Sequence, residues 1–257
     1  MRVVFHEAFH NASYTEDEHD NAAVPGRLIG IMQSLRDEGR YGVDTPEPAA
    51  RKDLLLGHGE QYVASVECKA LLFNTASLAA GAAIMAARQA LHGEEPMFAC
   101  LRPPGHHASR SSAWGHCTFS NLALALLNLR DAGLIRSAFV VDFDQHTGDG
   151  TQEVLRGWPE ALLFNPYGDS SASYIYSLEE CLKHAPQVDI LAVSAGFDGY
   201  IHDLGRKLTT ADYFTIGRLL QSYAIRLGHQ RRFAVLEGGY YLPDLGKNVL
   251  SFCRGFE

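Results

Sequence analysis

Residues 138–150 read AFVVDFDQHTGDG, and this stretch decides the fold. An apolar run, Ala138–Phe143, passes directly into a segment dense in Asp, His and Gly. Strands that are apolar throughout are covered on both faces, the usual condition of a parallel strand flanked by helices. In open α/β sheets, functional groups collect beyond the carboxyl ends of such strands. The pattern recurs along the chain. Short apolar runs at Val3–Phe5, Met97–Leu101, Ala161–Phe164, Asp189–Ser194 and Arg232–Leu236 also read as strands. Helical patterns lie between them. Ala76–Leu91 is rich in Ala and ends at Gly93, and Ser120–Ala132 has Leu at helical spacing and stops at Gly133. Thr210–Leu227 opens on Thr210 as a candidate N-cap and stops at Gly228. The alternation implies a mostly parallel central sheet with helices on both faces.

The chain has 257 residues, 46% hydrophobic and 20% charged, a globular composition that argues against disorder. No internal repeat, low-complexity tract or Ser/Gly linker divides it, so one domain over residues 1–257 is expected. The most polar stretch, Glu16–Asn21, reads as a surface loop. The net charge of -8 argues against a basic nucleic-acid surface. No apolar run approaches the ~20 residues that span a bilayer. The start, MRVVFHEAFH, does not read as a signal peptide, because His and Glu interrupt its short apolar stretch. Neither nucleic acid nor membrane is therefore an expected partner. The five cysteines, at 68, 100, 117, 181 and 253, include no C-x-x-C pair. That pattern suggests neither a disulfide framework nor a thiolate zinc knuckle, and a reduced, cytoplasmic protein is the default expectation.

Four strand ends carry nearly all the unusual residues. After Leu101 comes Arg102-Pro-Pro-Gly-His106-His107, and after Val141 comes Asp142-Phe-Asp144-Gln-His146-Thr-Gly-Asp149. After Val193 comes Ser-Ala-Gly-Phe-Asp198, and after Leu236 comes Glu-Gly-Gly-Tyr240. On an extended segment, residues two apart point the same way, so Asp144 and His146 could converge on one ion. With Asp198 they would offer two oxygens and one nitrogen and leave a position for water, a set suited to catalytic Zn²⁺ or Fe²⁺. A lone D-x-H more often caps a turn; four loops of complementary chemistry reverse those odds. Adjacent histidines on a loop point differently, so His106 and His107 are expected to play distinct roles. Each needs a partner to fix its tautomer, and Asp142 and Asp149 are the natural ones. Tyr240 follows two glycines, whose backbone freedom could carry the phenol towards a ligand. Ordinary turn histidines and a core tyrosine are the bland alternatives.

Together, RPPGHHA (102–108), WGHCTFSN (114–121), DFDQHTGDGTQ (142–152), SAGFD (194–198) and LEGGYYLPDLGKNV (236–249) resemble the histone deacetylase and acetylpolyamine amidohydrolase superfamily, in family order and from Met1 to the C-terminus. The resemblance implies the arginase/deacetylase α/β fold in a compact-loop form, and one catalytic divalent ion, Zn²⁺ or Fe²⁺, at Asp144, His146 and Asp198. It implies a general base at His107 partnered by Asp149, a neighbouring His106 paired with Asp142, and a carbonyl-polarising Tyr240. Gly115 would turn its carbonyl to the substrate, and Asp142 would adjoin an inner K⁺ site. The implied activity is removal of acetyl groups from acetyl-lysine or acetylated polyamines and other small amines. The alternatives are hydrolysis of another small amide or ester, and non-catalytic acyl-lysine binding. A binuclear, arginase-like centre would need further carboxylates, but Gly148 and Tyr200 occupy the relevant positions.

The chain also departs from the family pattern. Thr147 replaces the second histidine of the usual run, and His116 stands where a tunnel-wall Phe or Tyr is common. Asn165–Leu178 reads as a shortened loop, with Tyr167 as the candidate second wall aromatic. In the N-terminal loop, His10–Arg27, only Pro25-Gly-Arg27 remains of the family pattern, and Arg27 is expected to line an inner cavity or pair with a carboxylate. Glu60 lies near the family's substrate-holding rim carboxylate. The shorter rim suggests an open pocket.

Overall fold

A computed structural model of the chain describes residues 1–11, 24–93 and 95–257. The expected surface loop at Glu16–Asn21 lies outside these residues. In chain order the elements are β1 (Arg2–Val4), α1 (Ala8–Asn11), α2 (Ile29–Asp37), β2 (Gly42–Asp44), α3 (Arg51–Gly57), α4 (Glu60–Glu67), α5 (Ala70–His92), β3 (Met97–Ala99) and α6 (Asn121–Asp131). They continue with β4 (Ala138–Asp142), α7 (Asp149–Leu155), β5 (Ala161–Phe164), α8 (Ser171–His184), β6 (Ile190–Ala195), α9 (Thr210–Arg226), β7 (Arg232–Leu236) and α10 (Leu242–Phe256).

Among the described residues, seven strands join one sheet in the order β2-β1-β3-β7-β6-β4-β5, and every pairing is parallel. The four strands with chemistry at their tips, β3, β7, β6 and β4, are contiguous at the centre of the sheet and buried along their whole length. Because they run parallel, their carboxyl ends open on one edge. This juxtaposition makes a single site out of four sequence-distant loops.

Helices cover both faces. α5 and α6 pack together, with α3 and α4 outside them, and α10 packs against α2 and α9, which meets α8. Phe252 of α10 reaches Phe98 of β3 and Phe143 just past β4, with ring centroids 6.4 and 5.1 Å apart. Burying aromatic rings of this size contributes roughly 2–3 kcal/mol each.

Most sequence boundaries shift by no more than two residues, a helix cap moves by one, and three differences are larger. β2, only three residues long, carries too little apolar pattern to be read; it pairs with β1, and Arg2 clamps Asp44 across the pair at 2.8 Å. The stretch read as a loop to Leu178 is helical from Ser171, because Ser170 caps α8. The cap of α9 is Thr209 rather than Thr210, with Asp212 closing a reciprocal capping box.

Finally, α5 starts at Ala70, six residues before the expected start at Ala76, and is 23 residues long. By length and composition it could cross a membrane, which corrects the expectation that no apolar run is long enough. Its small residues account for that apolarity otherwise. Ala79, Ala82, Ala83, Ala86 and Ala87 are buried in the core, and a Cβ on Gly81 would collide with the backbone at Glu47.

Candidate active site

The β3 loop is shaped from beneath by Glu237, the first residue past β7. Its buried carboxylate accepts the N–H groups of Gly105 (2.7 Å) and His106 (3.2 Å) through one oxygen. Burial pushes this carboxyl up to about 7. Only glycine fits at 105, where a Cβ would strike the Phe119 carbonyl and lie 2.6 Å from the Asn121 nitrogen. The loop then presents two buried imidazoles with centroids 4.0 Å apart.

These two rings differ in their partners. His106 Nδ1 meets Asp142 Oδ2 at 3.0 Å, and His107 Nδ1 meets Asp149 Oδ1 at 2.7 Å. A carboxylate at Nδ1 favours the proton there and leaves Nε2 to act as the base. Burial works to lower the His106 pKa, but the charges of Asp144 and Asp142 outweigh it and hold the value well above 6.5. For His107, burial and then the His106 charge dominate over Asp149 and lower the pKa to about 4. Trp114 stacks on the His107 ring at 3.6 Å and donates its indole N–H to the other Asp149 oxygen at 3.0 Å. Gly115 lies against the same ring; a Cβ there would come within 2.7 Å of His107 Cδ2.

Asp144, His146 and Asp198 come together, their ligand-type atoms all within 4.8 Å of one another. His146 Nδ1 is 3.0 Å from Asp144 Oδ1 and 3.0 Å from Asp198 Oδ2. Backbone amides hold the carboxylates: Gly238 donates to Asp144 Oδ2 (2.8 Å), His146 to Asp144 Oδ1 (3.0 Å) and Gln145 to Asp198 Oδ1 (2.9 Å). Gly196 and Gly238 permit this approach, since a Cβ at either would invade Asp144.

This arrangement fits a divalent cation. Asp198 Oδ2 is buried and makes no hydrogen bond among the described residues, although His146 Nδ1 stands 3.0 Å away and as near to Asp144 Oδ1. Burial, then the Asp144 charge, pushes the Asp198 carboxyl up to about 7. The two carboxylates raise His146 to about 10. Two facing buried acids bridged by an imidazole form a donor set that one small dication would satisfy.

Tyr240 is half-buried. Burial, then the negative charges of Asp144 and Asp198, push its phenol well above 10, so it is a neutral hydrogen-bond donor at ordinary pH. Arg27 is buried, and among the described residues its side chain is bonded to backbone carbonyls rather than to a carboxylate. It donates to the carbonyls of Gly239 (2.9 Å) and Glu237 (2.7 Å) and lies over the Tyr240 ring.

Other expected positions lie in different surroundings. Glu60 is on the surface, where Arg51 takes its carboxylate at 2.6 Å. No hydrogen bond or ion pair among the described residues joins it to the site, so the expected rim role loses its geometric support. Tyr167 is 71% exposed, packs near Phe164 and lines a cavity over α8 instead of the histidine pair. His116 takes a left-handed backbone, φ 64°, beside Gly115, and Thr147 is exposed. Gly148 could not carry a second carboxylate, since a Cβ would strike Asp142. Near the expected K⁺ position, the Asp142 carbonyl accepts the Asn165 amide and the Phe143 carbonyl accepts the Tyr174 hydroxyl, each at 3.0 Å.

Sequence reasoning gave no role to Glu237, Trp114 or Cys117. A carboxylate at a strand tip was a usable signal for Glu237. Cys117 Sγ accepts the His107 N–H at 3.4 Å and clusters with His106 and Glu237, where each group already has a protein partner.

By fold, the chain belongs to the arginase/deacetylase-like α/β class. A solved structure titled the HDA15 HD domain superposes with a TM-score of 0.86, covering 100% of this chain and 90% of that one at 23% identity. A family model for the histone deacetylase domain matches residues 21–176 and 165–256, and the chain belongs to that family. It is 30% identical to a probable deacetylase of Archaeoglobus fulgidus over 99% of this chain and 86% of that protein. It is 28% identical to the polyamine deacetylase HDAC10 of Mus musculus, covering 96% of this chain but 46% of the relative. It is also 28% identical to the acetylpolyamine amidohydrolase of Mycoplana ramosa, covering 73% of this chain and 62% of that one.

Proposed function

We propose that this protein is a metal-dependent amidohydrolase that removes acetyl groups from acetyl-lysine or from acetylated polyamines and related small amines. One observation carries the reading. The Asp144–His146–Asp198 triangle stands beside two carboxylate-partnered histidines, with an un-ionised tyrosine at the same edge of the sheet. The triangle would hold Zn²⁺ or Fe²⁺. Such an ion supplies a Lewis acid and lowers the pKa of bound water.

The protein's own groups do the rest. His107, neutral through burial, accepts the proton of the attacking water at Nε2 while Asp149 holds Nδ1. The Tyr240 hydroxyl donates to the oxygen that gains negative charge as the amide carbonyl becomes tetrahedral. The imidazole pair returns a proton to the departing nitrogen, and the C–N bond breaks to give acetate and a free amine. Trp114 braces the His107–Asp149 pair, stacking on the imidazole and donating its indole N–H to the carboxylate. A non-catalytic acyl-lysine binder would have no use for a base poised in this way. A cytoplasmic setting is part of the proposal, supported by five cysteines that are all free.

The test joins metal analysis to a substrate panel of acetyl-lysine peptides, N-acetylputrescine and longer acetylated polyamines. One ion per chain and turnover of at least one of these is the expected result. Metal-loaded protein that turns over no acyl amide would overturn the enzyme reading. Two ions per site would favour an arginase-like centre.

A further inference from the structure

Asp203 lies five residues past Asp198 in the turn that follows β6, and only 9% of it is exposed. One oxygen, Oδ2, accepts the backbone N–H groups of both Tyr240 (2.6 Å) and Tyr241 (2.7 Å). The other accepts the N–H of Leu204 at 2.7 Å. Its turn is tied to the candidate metal ligand, because Gly205 donates to the Asp198 carbonyl and Asp203 donates its own N–H to the Tyr200 carbonyl, each at 2.8 Å.

The Tyr240 segment needs such a tie. Two glycines precede it, and Gly239 takes φ 125°, a conformation that does not by itself restrict the chain. A cavity of about 740 Å³ opens beside Tyr240, with Ile201, Leu204 and Tyr241 among its walls, so packing does not confine the phenol on that side. Upstream, Asp144 holds the Gly238 N–H, Phe197 donates to the Gly238 carbonyl and Arg27 holds the Gly239 carbonyl. Asp203 supplies the hold at Tyr240 itself.

Helix capping alone does not explain the contact. Tyr241 is the N-cap of α10, so an N-terminal cap would serve Tyr241 and the residues after it. The same oxygen also takes the N–H of Tyr240, which lies outside the helix.

We infer that Asp203 is a positioning residue, whose carboxylate sets the backbone of Tyr240 in register with Asp198 so that the phenol meets the reacting carbonyl. The inference rests on the proposed role of Tyr240 and adds a residue to it. A displacement of about 1 Å at a reacting group can cost on the order of 10²-fold in rate.

The experiment is a double-mutant cycle on the metal-loaded, full-length protein. Asp203→Asn keeps the shape but removes the charge and one acceptor. It should lower kcat about tenfold or more, leave KM within about twofold and leave metal content unchanged. In a Tyr240→Phe background the same change should alter kcat by less than about twofold, because the hydroxyl it positions is already gone. Asp203→Glu, which retains the charge but moves it, should show the same non-additivity and serves if the Asn variant does not fold.

Equal losses in both backgrounds, or a lowered melting temperature with kcat intact, would overturn the inference. Amide hydrogen exchange at Tyr240 and Tyr241 gives a readout independent of turnover. Protection in the parent that is lost in Asp203→Asn supports the clamp; no change in exchange refutes it. Should the parent turn over no substrate, the deacetylase reading fails and the exchange result still decides the clamp.

Discussion

The floor and the rim of the candidate site are built on different terms. On the floor, Asp142, Asp144, Asp198 and Glu237 are all buried, and each carboxylate accepts at least one backbone N–H. On the rim, Asp149 takes the Gly150 N–H but turns its oxygens to the side chains of His107 and Trp114, and Glu60 is held, among the described residues, by Arg51 alone. A backbone donor is fixed by the fold, whereas a side-chain donor must itself be ordered at an entropic cost. The floor therefore has its geometry before any ligand arrives. The rim can be remodelled without disturbing the sheet.

The contrast breaks first at the floor. Asp198→Ala should abolish metal retention and reduce turnover roughly 10³-fold or more, measured by elemental analysis and acetyl-lysine amide hydrolysis. Retained metal with full activity would mean that the three residues do not form the site. Tyr240→Phe keeps the ring and removes only the hydroxyl. It should cost on the order of 10²–10³-fold in kcat with the metal still bound, as loss of an oxyanion donor does.

The seam between floor and rim can be probed by pH. His58 is buried, with Nδ1 against the Ser109 carbonyl (2.8 Å) and Nε2 accepting the Ser120 N–H (2.9 Å), so the folded protein needs it neutral. Burial lowers its pKa to about 4. The unfolded chain binds a proton near pH 6.5 that the folded chain refuses until about pH 4. His58 therefore contributes its full stability above pH 6.5 and loses it as pH falls to 4, by about 3 kcal/mol. Denaturant titrations of the parent and of His58→Gln should converge by that amount across the window; parallel curves would mean that His58 protonates freely. The smallest effect belongs to the rim. Glu60→Gln should leave kcat/KM within about twofold, because its carboxylate is spent on an exposed ion pair. A larger loss would restore Glu60 to substrate binding.

Much of the floor was legible in the sequence. Each of the four central strands is an apolar run ending in polar residues, so strand and tip could be read from local pattern; Asp144 and His146 do converge, but in a bend past the end of β4 at Asp142 and not on the extended segment expected. The need to fix each tautomer pointed to Asp142 and Asp149 as partners, the family resemblance implied which carboxylate meets which histidine, and both contacts are present. The rim was less legible. The side chains of Glu60 and Tyr167 are directed by neighbours far away in sequence, Arg51 on α3 and the α8 residues, and no local pattern encodes those choices. The length of α5 was missed because Leu71, Leu72 and Phe73 read as a short apolar run as readily as a helical turn.

The sequence by itself determined the kinds of element, the chemistry at each strand tip and the glycines that chemistry requires, since these depend on neighbours a few bonds apart. Only the tertiary structure decided that β3, β7, β6 and β4 lie side by side. It alone left Asp198 Oδ2 buried with no hydrogen bond among the described residues, put Glu237 beneath the histidines and joined Asp203 to Tyr240. Those relations are contacts between segments tens of residues apart. Strand order and packing create them, and they have no signature in any single stretch of chain.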